Sequence, residues 1–92
     1  MPSGDTSFTA EQYREMAEAM YSLSNNSPAN RGQALNEAAG YIKKSLAAKN
    51  DDAKAHYVYS QIADAQNNAA LAVQELESAR RFDPQNAQYN YE

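Results

Sequence analysis

The stretch Ala53–Pro84, AKAHYVYSQIADAQNNAALAVQELESARRFDP, decides the fold. His56, Tyr59, Ile62 and Ala63 recur at three- and four-residue spacing, and Ala69, Ala72, Val73, Leu76 and Ala79 repeat that spacing after the polar pair Asn67-Asn68. A period of about 3.6 residues gathers each set on one face of a helix. The spacing therefore predicts two short amphipathic helices, to about Gln66 and from about Ala69 to Phe82, joined by a tight turn. Asp51 or Asp52 is placed to cap the first. Asp83-Pro84 ends the second, because a residue before proline is pushed out of helical geometry. Neither helix can bury its stripe alone, so the two must pack on each other and on a neighbouring element.

Upstream, a second pair is expected. Thr9 and Gln12 form a capping box, and Phe8 before the cap is placed to staple onto Tyr13. Tyr13, Met16, Ala17, Met20 and Leu23 then supply an apolar face, which predicts a helix over about 9–24. Residues 24–30, rich in Ser and Asn around Pro28, read as an elongated turn. The next helix begins either at Ser27-Pro28, with proline in the first turn, or at Asn30. It carries Leu35, Ala38, Ala39, Ile42 and Leu46 on one face and runs to about Lys49, with Asn50 placed as a left-handed terminator. Residues 1–8 read as a flexible N-terminal lead-in. Residues 87–92, with Tyr89 and Tyr91, read as a tail that docks on the fourth helix or as the opening of a further, truncated helix.

These residues resemble the tetratricopeptide repeat, a helix–turn–helix unit of about 34 residues. Ala72, Leu76, Ala79 and Pro84 fall at the family's spacing, and Ala38, Ile42 and Ser45 repeat the small–large–small pattern one period earlier. Tyr13, Met16, Ala17 and Met20 occupy the large, large, small and large places of the first helix. The chain departs from the pattern at His56, Tyr59, Ser60 and Ala63, where the family prefers Trp, Leu, Gly and Tyr. The first unit is also about nine residues longer than a standard repeat, through an elongated turn at 24–30, a lengthened second helix, or both. The resemblance implies an all-α domain over 9–86, with two antiparallel helix–turn–helix hairpins (about 9–50 and 51–86) stacked as a short right-handed solenoid. It further implies partner binding on the concave face lined by the first helix of each unit. Carried over residue by residue, that face holds Arg14, Glu18, Tyr21, Tyr57, Gln61 and Asp64. The chaperone-binding subgroup uses Lys and Asn at such places to hold a terminal carboxylate. Arg14 with Glu18, and Tyr57 with Gln61, do not supply that set.

Composition narrows the function classes. Of 92 residues, 12 are acidic and 8 basic, for a net charge of −4. An acidic chain whose lysines and arginines gather near helix ends argues against a nucleic-acid surface. At helix C-termini those cations complement the dipole. No apolar run approaches the ~20 residues of a membrane span, so no membrane insertion is expected. The chain lacks cysteine, which excludes disulfides and thiolate metal sites. Met1–Asp5 has neither the basic nor the apolar region of a signal peptide. A soluble chain is expected, cytoplasmic or, with a leader removed, periplasmic or secreted.

Catalytic chemistry finds little to stand on. One histidine, His56, offers neither a metal-ligand spacing nor a nucleophile–base pair, and its spacing makes it a packing residue between helices. Asn50-Asp51-Asp52 opens like an acidic metal loop but lacks the downstream Gly and Glu, so helix capping is the expected role. No Gly-rich phosphate loop is present. The chain is therefore expected to be neither an enzyme nor a cofactor or metal binder. With 7 tyrosines and 2 phenylalanines, it suits protein or peptide recognition on a tyrosine-lined face. The other expectation is a self-associating scaffold subunit, a homo-oligomer joined through exposed end faces.

Overall fold

The computed structural model describes residues 8–90, and the expectations for residues 1–7 and for Tyr91 fall outside them. The architecture is all-α: α1 (Ala10–Asn26), a single 3-10 turn (Pro28–Asn30), α2 (Arg31–Ala48), α3 (Ala53–Ala65), α4 (Ala69–Phe82) and the short α5 (Ala87–Asn90). The molecule measures 46 × 34 × 19 Å. Its thinnest dimension is about two helix diameters, so the domain is two helices deep.

Side-chain ties give the directions of the helices. Ser45 Oγ, late in α2, donates to the carbonyl of Ala10 at the start of α1 over 2.7 Å, which makes α1 and α2 antiparallel. Phe82, the last residue of α4, stacks on His56 at the start of α3 with ring centroids 5.5 Å apart, so α3 and α4 are antiparallel as well. Arg14 and Asp52 meet near the starts of α1 and α3, which therefore run parallel. α3 packs on both α1 and α2, so the second hairpin leans on the first through its own first helix.

The core explains why so many small residues are needed. Its fully buried side chains include Ala17, Ala38, Ala55, Ala63 and Ala79 beside only two large ones, Ile42 and Ile62. Small side chains let helix backbones approach closely, and the two isoleucines fill the remaining space between hairpins. Ser24, Ser45 and Ser60 are also buried. Each donates its hydroxyl to a helix carbonyl, so these three buried hydroxyls are paired.

The local signals act largely as read. Thr9 and Gln12 close a reciprocal capping box. Phe8 meets Tyr13 edge-on at 5.6 Å. Asp52, not Asp51, caps α3, accepting from the amides of Lys54 and Ala55. Asp51 instead takes Lys49, whose hydrogen bond and charge hold its carboxyl below the usual range.

Several expectations change. The turn at 24–30 is shorter than expected: α1 continues through Asn26 and Pro28–Asn30 forms the 3-10 turn, so the extra residues of the first unit lengthen its helices. α2 starts at Arg31 with no side-chain cap at Asn30, whose amide donates to Ser27 Oγ instead. The left-handed residue is Asn67 (φ 65°), not Asn50. Three residues, Gln66, Asn67 and Asn68, must reverse the chain between α3 and α4, and asparagine tolerates the left-handed conformation better than most side chains. The buried strip of α4 is also rotated: Val73 is 56% exposed and Ala69 exposed, whereas Glu75 is 92% covered. α4 packs chiefly on α3, with Glu75 turned inward to His56. Leu23, 45% exposed, leaves the face of α1 to Ser24.

Candidate functional site

The face shared by α1, α3 and α5 carries two adjoining cavities. The first, about 330 Å³, is walled by Tyr21 of α1, by Tyr57, Ser60, Gln61 and Asp64 of α3, and by Ala72, Val73 and Leu76 of α4. The second, about 500 Å³, shares Tyr21, Tyr57 and Gln61 and continues past Glu18 and Lys54 to Gln88 and Tyr89. Tyr21, Tyr57 and Gln61 thus form the common wall of one groove.

The parallel run of α1 and α3 puts these side chains side by side. On α3, Tyr57, Gln61 and Asp64 recur at i, i+4 and i+7, which is one stripe of the helix. The opposite stripe, Ala55, Val58, Ile62 and Ala63, faces the core. Ionic links fix the two helices against each other. Arg14 Nη1 donates to Asp52 Oδ2 at 2.8 Å, and Arg14 also approaches Glu18 at 3.8 Å and Glu11 at 4.0 Å. Lys54 approaches Glu18 at 3.8 Å. Asp52 therefore uses one carboxylate oxygen to cap α3 and the other to hold α1.

Of the residues expected on this face, Tyr21, Tyr57, Gln61 and Asp64 share one cavity, and Glu18 lies on the adjoining one. Arg14 does not line either. Its guanidinium, with 16% of the side chain exposed, is engaged by Asp52 and flanked by two glutamates. Its Nε is buried without a hydrogen bond, 3.8 Å from Glu18. Arg14 is thus a structural tie between hairpins: the reach of its side chain toward Asp52 takes it away from the groove.

Comparison with family models, curated proteins and solved structures returned no match to this chain. The site is therefore read from its own chemistry.

The closing wall comes from α5. Tyr89 is 4% exposed and packs its ring on Tyr57 at 4.9 Å. Tyr89 lies in the short helix α5, which follows α4 and contacts it, while its ring rests on Tyr57 of α3. Burial raises the Tyr89 phenol above the usual value, and the charges of Asp83 and Asp52 push in the same direction. Burial likewise raises Tyr59, with Glu75 adding to it. The tyrosines flagged the tail as unusual, but only the fold shows that Tyr89 lies on Tyr57.

A second polar cluster was not readable beforehand. His56 Nε2 lies 2.8 Å from the carbonyl of Asn50, and Nδ1 lies 2.6 Å from Glu75 Oε1. The carbonyl can only accept, so Nε2 donates to it, and Nδ1 faces the Glu75 carboxyl. His56 is the packing residue the spacing suggested, and it also ties α3 to α4 and to the turn before α3. Its partner Glu75 is distant in sequence and occupies what reads as a polar helix position.

Among the described residues no group of acidic or histidine side chains is arranged to hold a metal ion. No helix among them is long and apolar enough to cross a membrane.

Proposed function

We propose that this chain is a protein-interaction module, similar in build to a short right-handed tetratricopeptide-repeat solenoid, that binds a peptide or a helix along the face of α1, α3 and α5. One observation carries the reading. At the α5 end of this face Asp52 pairs with Arg14, and Glu18 with Lys54. In the groove, the side chains of Gln61 and Asp64 have no hydrogen-bond or ionic partner among the described residues and share the lining with Tyr21 and Tyr57. Rigid aromatic rings beside unused amide and carboxylate groups suit an extended main chain and its side chains. The parallel α1 and α3 and the stacked hairpins are consistent with the solenoid. We assign the chain no catalytic role, since its one histidine has both ring nitrogens engaged.

The test is the paired substitution Tyr21→Ala with Gln61→Ala. Gln61 is half-buried and Tyr21 packs on the edge of the core, so circular dichroism first checks that helicity persists. Proteins retained by the immobilised chain should fall away with the variant. If the retained set is the same for both chains, the groove is not the binding surface.

Self-association is the second reading, favoured by Phe8, Leu23, Val73 and Phe82, which are 43–56% exposed. Val73 and Leu23 sit on opposite outer hairpins, so a contact between copies through them would be head-to-tail. Sedimentation at high micromolar concentration tests it, and a strict monomer removes it.

A further inference from the structure

We infer that the groove takes an extended segment carrying a basic side chain, arginine or lysine, seated between Tyr21 and Tyr57 with its charge on Asp64. This rests on the groove reading above and names the partner chemistry.

Three observations converge. First, the charges of the groove are unevenly balanced. At its α5 end Glu18 is answered by Lys54 and Arg14. At the other end Asp64 is exposed and has no cation within ion-pair distance among the described residues. Second, Asp64 stands in the last turn of α3, at the negative end of the helix dipole. A carboxylate there opposes the dipole and costs the helix stability. A local choice that runs against helix stability is where a functional demand is expected. The carboxylate therefore leaves negative charge at one end of the cavity. Third, two tyrosines, Tyr21 and Tyr57, stand in the lining of that cavity. Their ring faces attract cations, arginine most often, and they cover the aliphatic stem at the same time. Gln61, between Tyr57 and Asp64 on the same stripe, offers both a donor and an acceptor to the main chain of the bound segment. The net charge of −4 draws such a segment in.

Three short peptides test this by titration into isotopically labelled protein, followed by NMR. They are identical except for a central Arg, Gln or Glu within a Ser/Ala/Gly sequence. The Arg peptide should shift Tyr21, Tyr57, Gln61 and Asp64 together, with an affinity that falls as salt is raised. Asp64→Asn, an exposed substitution, should weaken it about fivefold or more while leaving the spectrum otherwise intact. The Glu peptide should give no shifts. Equal binding of the Gln and Arg peptides, unaffected by Asp64→Asn, overturns the cation assignment and leaves the groove reading standing. Absence of groove shifts with all three peptides overturns both. Shifts of the groove residues on simple dilution of the protein overturn the peptide assignment in favour of a second copy.

Discussion

Asp52 joins two structural roles in one carboxylate, and the two can be separated by substitution. Oδ1 caps α3 through the amides of Lys54 and Ala55, at 3.1 and 3.3 Å. Oδ2 accepts from Arg14 of the other hairpin at 2.8 Å, where the side chains are 13% and 16% exposed. Loss of an N-cap costs about 1 kcal/mol. Loss of a hydrogen bond to a charged, largely covered partner costs about 1.5–3 kcal/mol. Glu18 and Glu11 remain close enough to Arg14 to recover part of that, so the lower end applies. Asp52→Ala should therefore destabilise the domain by about 2–3 kcal/mol, or roughly 10–20 °C in Tm for a domain of this size. Asp52→Asn keeps the capping oxygen and loses the charge, and should cost about half as much. Urea unfolding followed by circular dichroism measures both, and a cycle with Arg14→Ala isolates the pair. The coupling should be about 1 kcal/mol or more. Equal losses for Asp52→Ala and Asp52→Asn, or a coupling near zero, would refute the division between cap and tie.

Further outcomes follow from the same geometry. Ile62→Ala removes a fully buried side chain between hairpins and should cost about 3–5 kcal/mol. Leu76→Ala at the half-covered cavity wall should cost about 1–2 kcal/mol, and chemical denaturation ranks the two. His56→Ala leaves Glu75 buried without its partner and should cost about 3 kcal/mol. The double variant His56→Phe with Glu75→Leu should recover most of it, and a double variant no more stable than His56→Ala would mean the link is not what holds α4. Tyr59 and Tyr89 are both raised above the ordinary phenol value near 10, chiefly by burial. The folded chain holds these protons more tightly than the unfolded one, so their contribution is intact below pH ~10 and is lost as pH rises through the folded-state values. Denaturation midpoints should fall in that alkaline window, and Tyr89→Phe should flatten the slope.

Much of the fold was legible because its signals are local. A capping box, a staple and a residue before proline act within one turn of backbone, and Thr9, Phe8 and Asp83 behave as their neighbours dictate. The α2 stripe of Leu35, Ala38, Ala39 and Ile42 is buried as its period requires, because α2 has neighbours on more than one side. The period was a poorer guide on α1 and α4, each of which rests mainly on its hairpin partner. There one strip is covered, and Leu23 and Val73 lie outside it. Of the site, Tyr21, Tyr57, Gln61 and Asp64 were reachable from the resemblance. The engagement of Arg14 was not, because Asp52 lies in the other hairpin.

The sequence by itself determined that the chain is helical, where most helices begin and end, and that Ala72 through Pro84 needs a partner surface. Those properties come from propensity, capping and period, which depend on residues only a few positions apart. Tertiary structure alone decided that Asp52 serves both α3 and Arg14, that Glu75 turns inward to His56, and that Tyr89 closes the groove on Tyr57. Each of these joins groups from different helices. A charge or a phenol acquires such a role only when burial strips its water and leaves one neighbour to replace it.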